Sequence, residues 1–259
     1  MKPHALFIDI DRTLTAEYNV IPERNLTALK KAKDAGHKVI INTGRSYGNI
    51  PPNILEQIDT DGVISGNGTV VMCEGNILRE DYIKDSAVEK IARICFECKN
   101  CWAVFEGFNH SYCITGRGRE PASWDIKIAS FEEFREKSKD DRFQVVAVGI
   151  TFPESRLSEL DDDITHYRFD HYFDLTAKGN NKADGMLMLL DKFGIPVERS
   201  IAFGDSDNDR TMLKTAGKGV AVANAQELLL KEADYITLSN TEGGVGAAIE
   251  ELLLKGEQK

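Results

Sequence analysis

Near the start of the chain an apolar run, Ala5-Leu6-Phe7-Ile8, stops at Asp9-Ile10-Asp11-Arg12-Thr13-Leu14, which sets two carboxylates at its end. A short run rich in branched and aromatic side chains reads as a strand buried on both faces of a parallel sheet. Open α/β sheets bind their ligands at the carboxyl ends of such strands. Residues two apart in an extended chain share a face, so Asp9 and Asp11 converge on one small volume. Two anions held together call for a cation, which points to phosphoryl transfer. Taken alone, the pair also reads as an Asp-rich loop capping a helix.

The same design recurs later in the chain. Ser200-Ile201-Ala202-Phe203-Gly204 ends at Asp205-Ser206-Asp207-Asn208-Asp209, followed by the start of a helical face at Thr211-Met212-Leu213. A third apolar run, Val39-Ile40-Ile41, ends in Asn42-Thr43-Gly44-Arg45 and supplies a hydroxyl, a glycine and a cation. Lys182 stands just before the amphipathic stretch Met186-Leu187-Met188-Leu189-Leu190, so its ammonium lies near the start of a helix.

In this order the four segments resemble the four motifs of the haloacid dehalogenase-like hydrolases, over nearly the whole chain. Asp9-Ile10-Asp11-Arg12-Thr13 resembles the Asp-x-Asp-x-Thr motif, Thr43-Gly44-Arg45 the second, Lys182 the third and 204–209 the acidic fourth. Ser65-Gly66-Asn67-Gly68, the stretch 219–225 and the glycine-rich 242–249 are similar to the Cof-type branch, whose cap lies between the second and third motifs. Two departures stand out. Arg12 occupies a position where many members carry Gly, and Ala183-Asp184 follows Lys182 where a Gly is usual. Arg12 is expected to alter access to the site, and Asp184 to lower its positive potential.

The resemblance implies a Mg²⁺-dependent phosphatase of small phosphorylated metabolites that works through an aspartyl-phosphate. Asp9 is then the nucleophile, ionised near its ordinary pKa of about 3.9 and needing no base. Asp11 protonates the leaving alkoxide and later takes a proton from water. Asp9, Asp205 and, through its backbone carbonyl, Asp11 hold the metal, with Asp209 in the same group. Lys182 and the Thr43 hydroxyl hold phosphoryl oxygens, while Ile10 and Gly44 offer backbone donors. Thr13, Arg45 and Asn208 complete the phosphate-binding set. Asn208 and Asp209 also orient Lys182 and the metal's waters, and Arg45 either reaches substrate or braces its loop. A phosphohexomutase on the same core, with Arg117, Arg119 and Lys127 anchoring a second phosphate, is an alternative. So is a phospho-ligand sensor whose aspartate is a switch.

The elements that must position these groups follow from the rest of the chain. The implied fold is α/β, a Rossmann-like and mostly parallel sheet core (1–80 and 179–259) with an inserted α/β cap (81–178). A helix entered at Pro22 and left at Gly36 joins the first two strands, and Gly62-Val63-Ile64-Ser65 reads as a third. The cap pattern predicts helices near 86–99, 130–138 and 154–162, strands near 102–106, 111–115 and 143–150, and two closing strands. Residues 255–259 read as a frayed tail.

At 259 residues and 42% hydrophobic, the chain can bury one large core or two smaller ones, and no apolar stretch is long enough to span a membrane. A net charge of −10 opposes nucleic-acid binding. Met1 to His4 run straight into the first strand, so no signal sequence is expected and the cytoplasm is. The odd count of five cysteines also suits a reducing compartment. Cys95, Cys98 and Cys101 have a spacing that metal sites use, but two of them fall on an amphipathic helix, where cysteine packs as a small apolar residue. His110, His166 and His171 read as surface or packing groups, and Trp102 and Trp124 as cap packing. No pattern indicates an oligomeric state or a particular phosphate ester; sugar phosphates, phosphoglycolate and cofactor phosphates all stay open.

Overall fold

The computed structural model of the protein describes residues 2–98, 100–114, 120–122, 124–160, 162–169 and 171–254. These form two compact units. The first takes Met1–Gly44, Ile50–Arg79 and Asn181–Lys259, and the second Arg45–Asn49 and Glu80–Asn180.

The first unit opens with strands β1 (Ala5–Ile8), β2 (Lys38–Asn42), β3 (Gly62–Ser65) and β4 (Val70–Cys73) and with β5 (Asn76–Glu80) up to Arg79. The second unit contributes β6 (Ala103–Gly107), β7 (Ser111–Ile114), β8 (Ile126–Ile128), β9 (Phe143–Gly149), β10 (Ile164–Arg168) and β11 (Tyr172–Ala177). The chain then returns to the first with β12 (Ser200–Gly204), β13 (Lys218–Ala221) and β14 (Tyr235–Ile236).

The first sheet has the order β14-β13-β12-β1-β2-β3-β4-β5 and is parallel from β14 to β3, with β4 antiparallel to β3. Every residue of β1 is fully buried, as a strand covered on both faces must be. Burying Leu6, Phe7 and Ile8 stabilises the fold by roughly 1.5–3 kcal/mol for each side chain. The register Phe203↔Ile8↔Ile41 aligns β12, β1 and β2 so that Asp205, Asp9 and Thr43 leave neighbouring strand ends. The helix Glu23–Asp34 joins β1 to β2, and the helix Lys182–Phe193 buries Met186, Leu189 and Leu190 against Phe7 and Ile40.

The second unit is a mixed sheet in the order β10-β11-β9-β6-β7-β8, antiparallel except for the β7–β8 pair. Helices Asp85–Glu97 and Phe131–Lys137 share a core with one set of its alternating side chains, among them Phe105, Tyr112, Val146 and Leu175. The sequence pattern did not foresee β8, which has only three residues and no apolar run. The helix expected near 154–162 is a single turn at Glu154–Leu157. Residues 45–49 join this unit because Ser46 N–H donates to Glu106 and Tyr47 N–H to Gln144, while the Tyr47 ring stacks on Phe108. Cys95 and Cys101 lie in its apolar core with sulfurs 4.0 Å apart. Trp124, expected to pack, is 58% exposed and donates its indole N–H to Asn49. His110, His166 and His171 are all exposed.

Candidate active site

The parallel strands deliver their chemistry at one edge of the first sheet. Asp9 follows β1, Thr43 follows β2, Asn67 follows β3 and Asp205 follows β12. Lys182 opens its helix behind the cap residue Asn181, whose side-chain oxygen accepts from the N–H groups of Ala183 and Asp184. The Asp184 carboxylate accepts in turn from Asn181 Nδ2 at 2.8 Å. It is thus spent on the helix cap, where negative charge also suits the helix dipole.

The Lys182 side chain is wholly buried, with Nζ 2.7 Å from Asp9 Oδ1 and 2.5 Å from Asp209 Oδ1. Burial alone would lower the pKa of this ammonium, but the carboxylates of Asp209 and Asp9 outweigh it and hold the charge more firmly than usual. The other oxygen of Asp209 accepts from the backbone N–H groups of Asp205 and Ser206 at 2.9 and 3.1 Å. Gly204 makes this approach possible, since a Cβ there would sit 2.4 Å from that of Asp209. Asn42, which the sequence reading did not single out, donates from Nδ2 to the Lys182 carbonyl at 3.0 Å and pins the start of the helix.

Carboxylate oxygens of Asp9, Asp205 and Asp209 lie within 4.8 Å of one another, all three residues buried, and form the one such metal-type group among the described residues. The side chain of Asp11 stands outside it and is exposed. Thr13, expected to bind phosphate, turns its hydroxyl toward Asp205 Oδ1 at 3.4 Å. Asn208 donates to Asn67 Oδ1 at 2.9 Å, and both amides crowd over Gly44, where a Cβ would lie 3.0 Å from Asn208 Nδ2 and 3.3 Å from Asn67 Oδ1. Thr43 is buried and tied by its N–H to the Ile64 carbonyl, and Ile10 is buried directly after Asp9. Arg45 belongs with the second unit, where its guanidinium donates to the Asn49 carbonyl. Arg117 and Arg119 lie outside the described residues, and Lys127 is exposed on β8.

The electrostatics correct one expectation. Asp9 does not ionise like an exposed aspartate: burial, then Asp209 and Asp205, push its carboxyl up against the pull of Lys182. Burial and Asp209 likewise raise Asp205 to about 7, against Arg12 and Lys182. Crowded buried carboxylates with hard oxygen donors fit a divalent cation, which would restore the ionised form of each.

Arg12 carries a second surprise. Its φ is +57°, a left-handed conformation that Gly adopts freely and that strains most other residues. Its guanidinium lies 3.7 Å from Asp205 and donates to the Asn224 carbonyl, while Asn224 Nδ2 donates back to the Arg12 carbonyl. Asn224 Oδ1 accepts from Asn240 N–H, and Asn240 Nδ2 donates to the Thr15 carbonyl, which joins three loops.

The chain matches the family model described as haloacid dehalogenase-like hydrolase over residues 6–249. It is 27% identical to the 5-amino-6-(5-phospho-D-ribitylamino)uracil phosphatase YitU of Bacillus subtilis (strain 168), over 96% of this chain and 97% of that one. It is 26% identical to a phosphoglycolate phosphatase of Methanobrevibacter smithii, over 98% and 100% of the two chains. Among solved structures, the subclass IIB sugar phosphatase BT4131 superposes with a TM-score of 0.79 at 28% identity, over 96% of this chain and 98% of that one.

Proposed function

Because this chain belongs to the haloacid dehalogenase-like hydrolases, in their Cof-like branch, we propose that Asp9 is the phosphoryl acceptor of a Mg²⁺-dependent hydrolysis. The protein is a phosphoric monoester hydrolase of small phosphorylated metabolites. One observation carries the assignment of Asp9. It is the only member of the buried carboxylate triad that both follows the first strand directly and shares Lys182 with Asp209.

Asp9, Asp205 and the Asp11 carbonyl would hold the cation. When bound, it neutralises carboxylate and phosphate charge so that one anion can approach the other. Lys182 holds Asp9 Oδ1, which leaves Oδ2 to face phosphorus. A bond forms from Asp9 to phosphorus as the bond to the leaving oxygen breaks, and Asp11 gives that oxygen its proton. Water then attacks the aspartyl-phosphate, Asp11 takes the water's proton, and inorganic phosphate leaves with Asp9 restored. Lys182, the Thr43 hydroxyl and the backbone at Ile10 and Gly44 stabilise the charge on the phosphoryl oxygens. Asp209 acts through Lys182 as a positioning group, and Thr13 acts through Asp205. The same reading sets the reaction in the cytoplasm, where five cysteine thiols stay reduced.

Phosphate release from a panel of sugar phosphates, phosphoglycolate, ribityl phosphates and nucleotides, with Mg²⁺ and with EDTA, tests this. Cation-dependent release that Asp9→Asn abolishes is the expected result. Release that survives EDTA or that substitution refutes the mechanism, and tight binding of one ester without turnover would make the protein a sensor.

A further inference from the structure

The loop after β3 holds a donor that the mechanism above leaves unused. Asn67 is wholly buried and has φ +56°, a left-handed conformation that Asn tolerates better than most residues. Its backbone N–H donates to the Thr43 carbonyl at 3.1 Å, which ties this loop to the one that carries the Thr43 hydroxyl.

The side chain ends a directed relay. Ser206 Oγ donates to Asn208 Oδ1 at 2.8 Å, and Asn208 Nδ2 donates to Asn67 Oδ1 at 2.9 Å. With its oxygen so engaged, Asn67 turns its Nδ2 away as a donor, and that buried nitrogen has no hydrogen-bond partner. The amide lies over the phosphate turn: a Cβ built on Gly44 would meet Oδ1 at 3.3 Å and Nδ2 at 3.4 Å. A buried N–H without an acceptor loses its hydration for nothing within the fold, and such groups are rare unless a ligand completes them. An oriented donor beside the Thr43-Gly44 turn, on the sheet edge that carries Asp9, suits an anion with several oxygens.

We propose that Asn67 Nδ2 donates to a non-bridging oxygen of the transferring phosphoryl group and is a further catalytic residue. The inference rests on the phosphatase reading of this site. Phosphoryl transfer spreads charge over three equatorial oxygens, and a fixed neutral donor stabilises that charge without reorganising. Asn208 then serves to aim Asn67.

The test compares the wild type with Asn67→Gly and Asn67→Asp, using p-nitrophenyl phosphate with Mg²⁺, inhibition by inorganic phosphate and thermal unfolding. Gly suits the left-handed backbone and deletes the donor. Asp keeps the oxygen that Asn208 holds but turns an anion toward the phosphate. Asn67→Gly should lower kcat/KM roughly 100-fold and weaken phosphate inhibition at least about fivefold, with no fall in the unfolding midpoint. Asn67→Asp should lose more. A purely structural Asn67 would lower the midpoint and leave phosphate inhibition unchanged, which overturns the proposal, as does an Asn67→Gly enzyme within twofold of wild type on both kinetic readouts. Should Asn67→Gly not fold, Asn67→Asp decides alone, and retention of half the activity overturns the proposal. A wild type that hydrolyses no ester refutes the phosphatase reading instead.

Discussion

Replacing Asp205 with Asn should make the metal-free protein more stable at pH 8, although the change deletes a carboxylate from the active site. Asp205 is 2% exposed and shares a 4.8 Å cluster with Asp9 and Asp209. Burial and Asp209 lift its carboxyl from 3.8 to about 7 in the folded state. A carboxyl whose pKa is raised by folding binds its proton more tightly in the native state, so stability falls as the pH climbs from 3.8 towards 7 and stays low above it. The full penalty is roughly 4 kcal/mol. Asn removes it, keeps an oxygen for the Thr13 hydroxyl, and gives up the attraction to Lys182 and to an Arg12 side chain that is 63% exposed. A net gain of about 1–3 kcal/mol is expected, or roughly 2–6 °C for a chain of this length. Thermal unfolding in EDTA at pH 4 and pH 8 measures it: the variant's advantage should be least at pH 4 and reach its full size at pH 8. Added Mg²⁺ should then stabilise the wild type and leave the variant almost unmoved. A variant less stable than wild type at pH 8, or a difference independent of pH, would refute the view that uncompensated buried charge governs this site.

Three further outcomes follow from the geometry. Asp209→Ala strips the buried Lys182 of one of its two carboxylates and the Asp205 and Ser206 amides of their acceptor, so it should cost about 3–5 kcal/mol in urea unfolding and most of the turnover; a loss below ~1 kcal/mol would contradict this. Gly204→Ala drives a methyl group into the Asp209 side chain and should destabilise by roughly 1–3 kcal/mol while lowering kcat, whereas unchanged kinetics would show that Asp209 can move without consequence. Burial pushes the Asp61 carboxyl up, but hydrogen bonds from Lys33, Lys38 and the Val39 N–H outweigh it and hold the group below 3.8. Its stabilisation is therefore full above pH 3.8 and lost as the pH falls through its lower native pKa. Asp61→Asn should differ from wild type by about 1–3 kcal/mol at pH 7 and converge with it below pH 4, and a constant gap across that range would count against the network.

The catalytic strands were legible because burial on both faces demands unbroken apolar runs, and a carboxylate at the end of such a run, as at Asp9 and Asp205, contrasts sharply with what precedes it. Lys182 was legible for a similar reason, standing just ahead of a 3.6-residue apolar periodicity. The Asn67–Asn208 pair was not, since it joins positions 141 residues apart, and Asn208 reads in sequence as a partner of phosphate and Lys182 with nothing to point it at Asn67. Nor could spacing show that Thr13 serves Asp205, that Asp184 is consumed in a helix cap, or that residues 45–49 pack with the second unit. Those outcomes depend on contacts between distant segments. Arg12 was visible as a departure from the family pattern, and its left-handed φ supplies the physical reason that Gly suits the position. The raised pKa of Asp9 escaped a reading that assigned the residue its exposed value, because desolvation exists only once the fold has formed.

The central claim is that the phosphoryl group passes through Asp9. An acid-quenched single turnover with a radiolabelled ester, chosen as the best substrate of the panel, tests it directly. In Mg²⁺ the wild type should carry label in a base-labile acyl phosphate on the peptide that contains Asp9, and Asp9→Asn should carry none. Phosphate released with no label ever bound to protein, or label bound on another residue, would contradict the account.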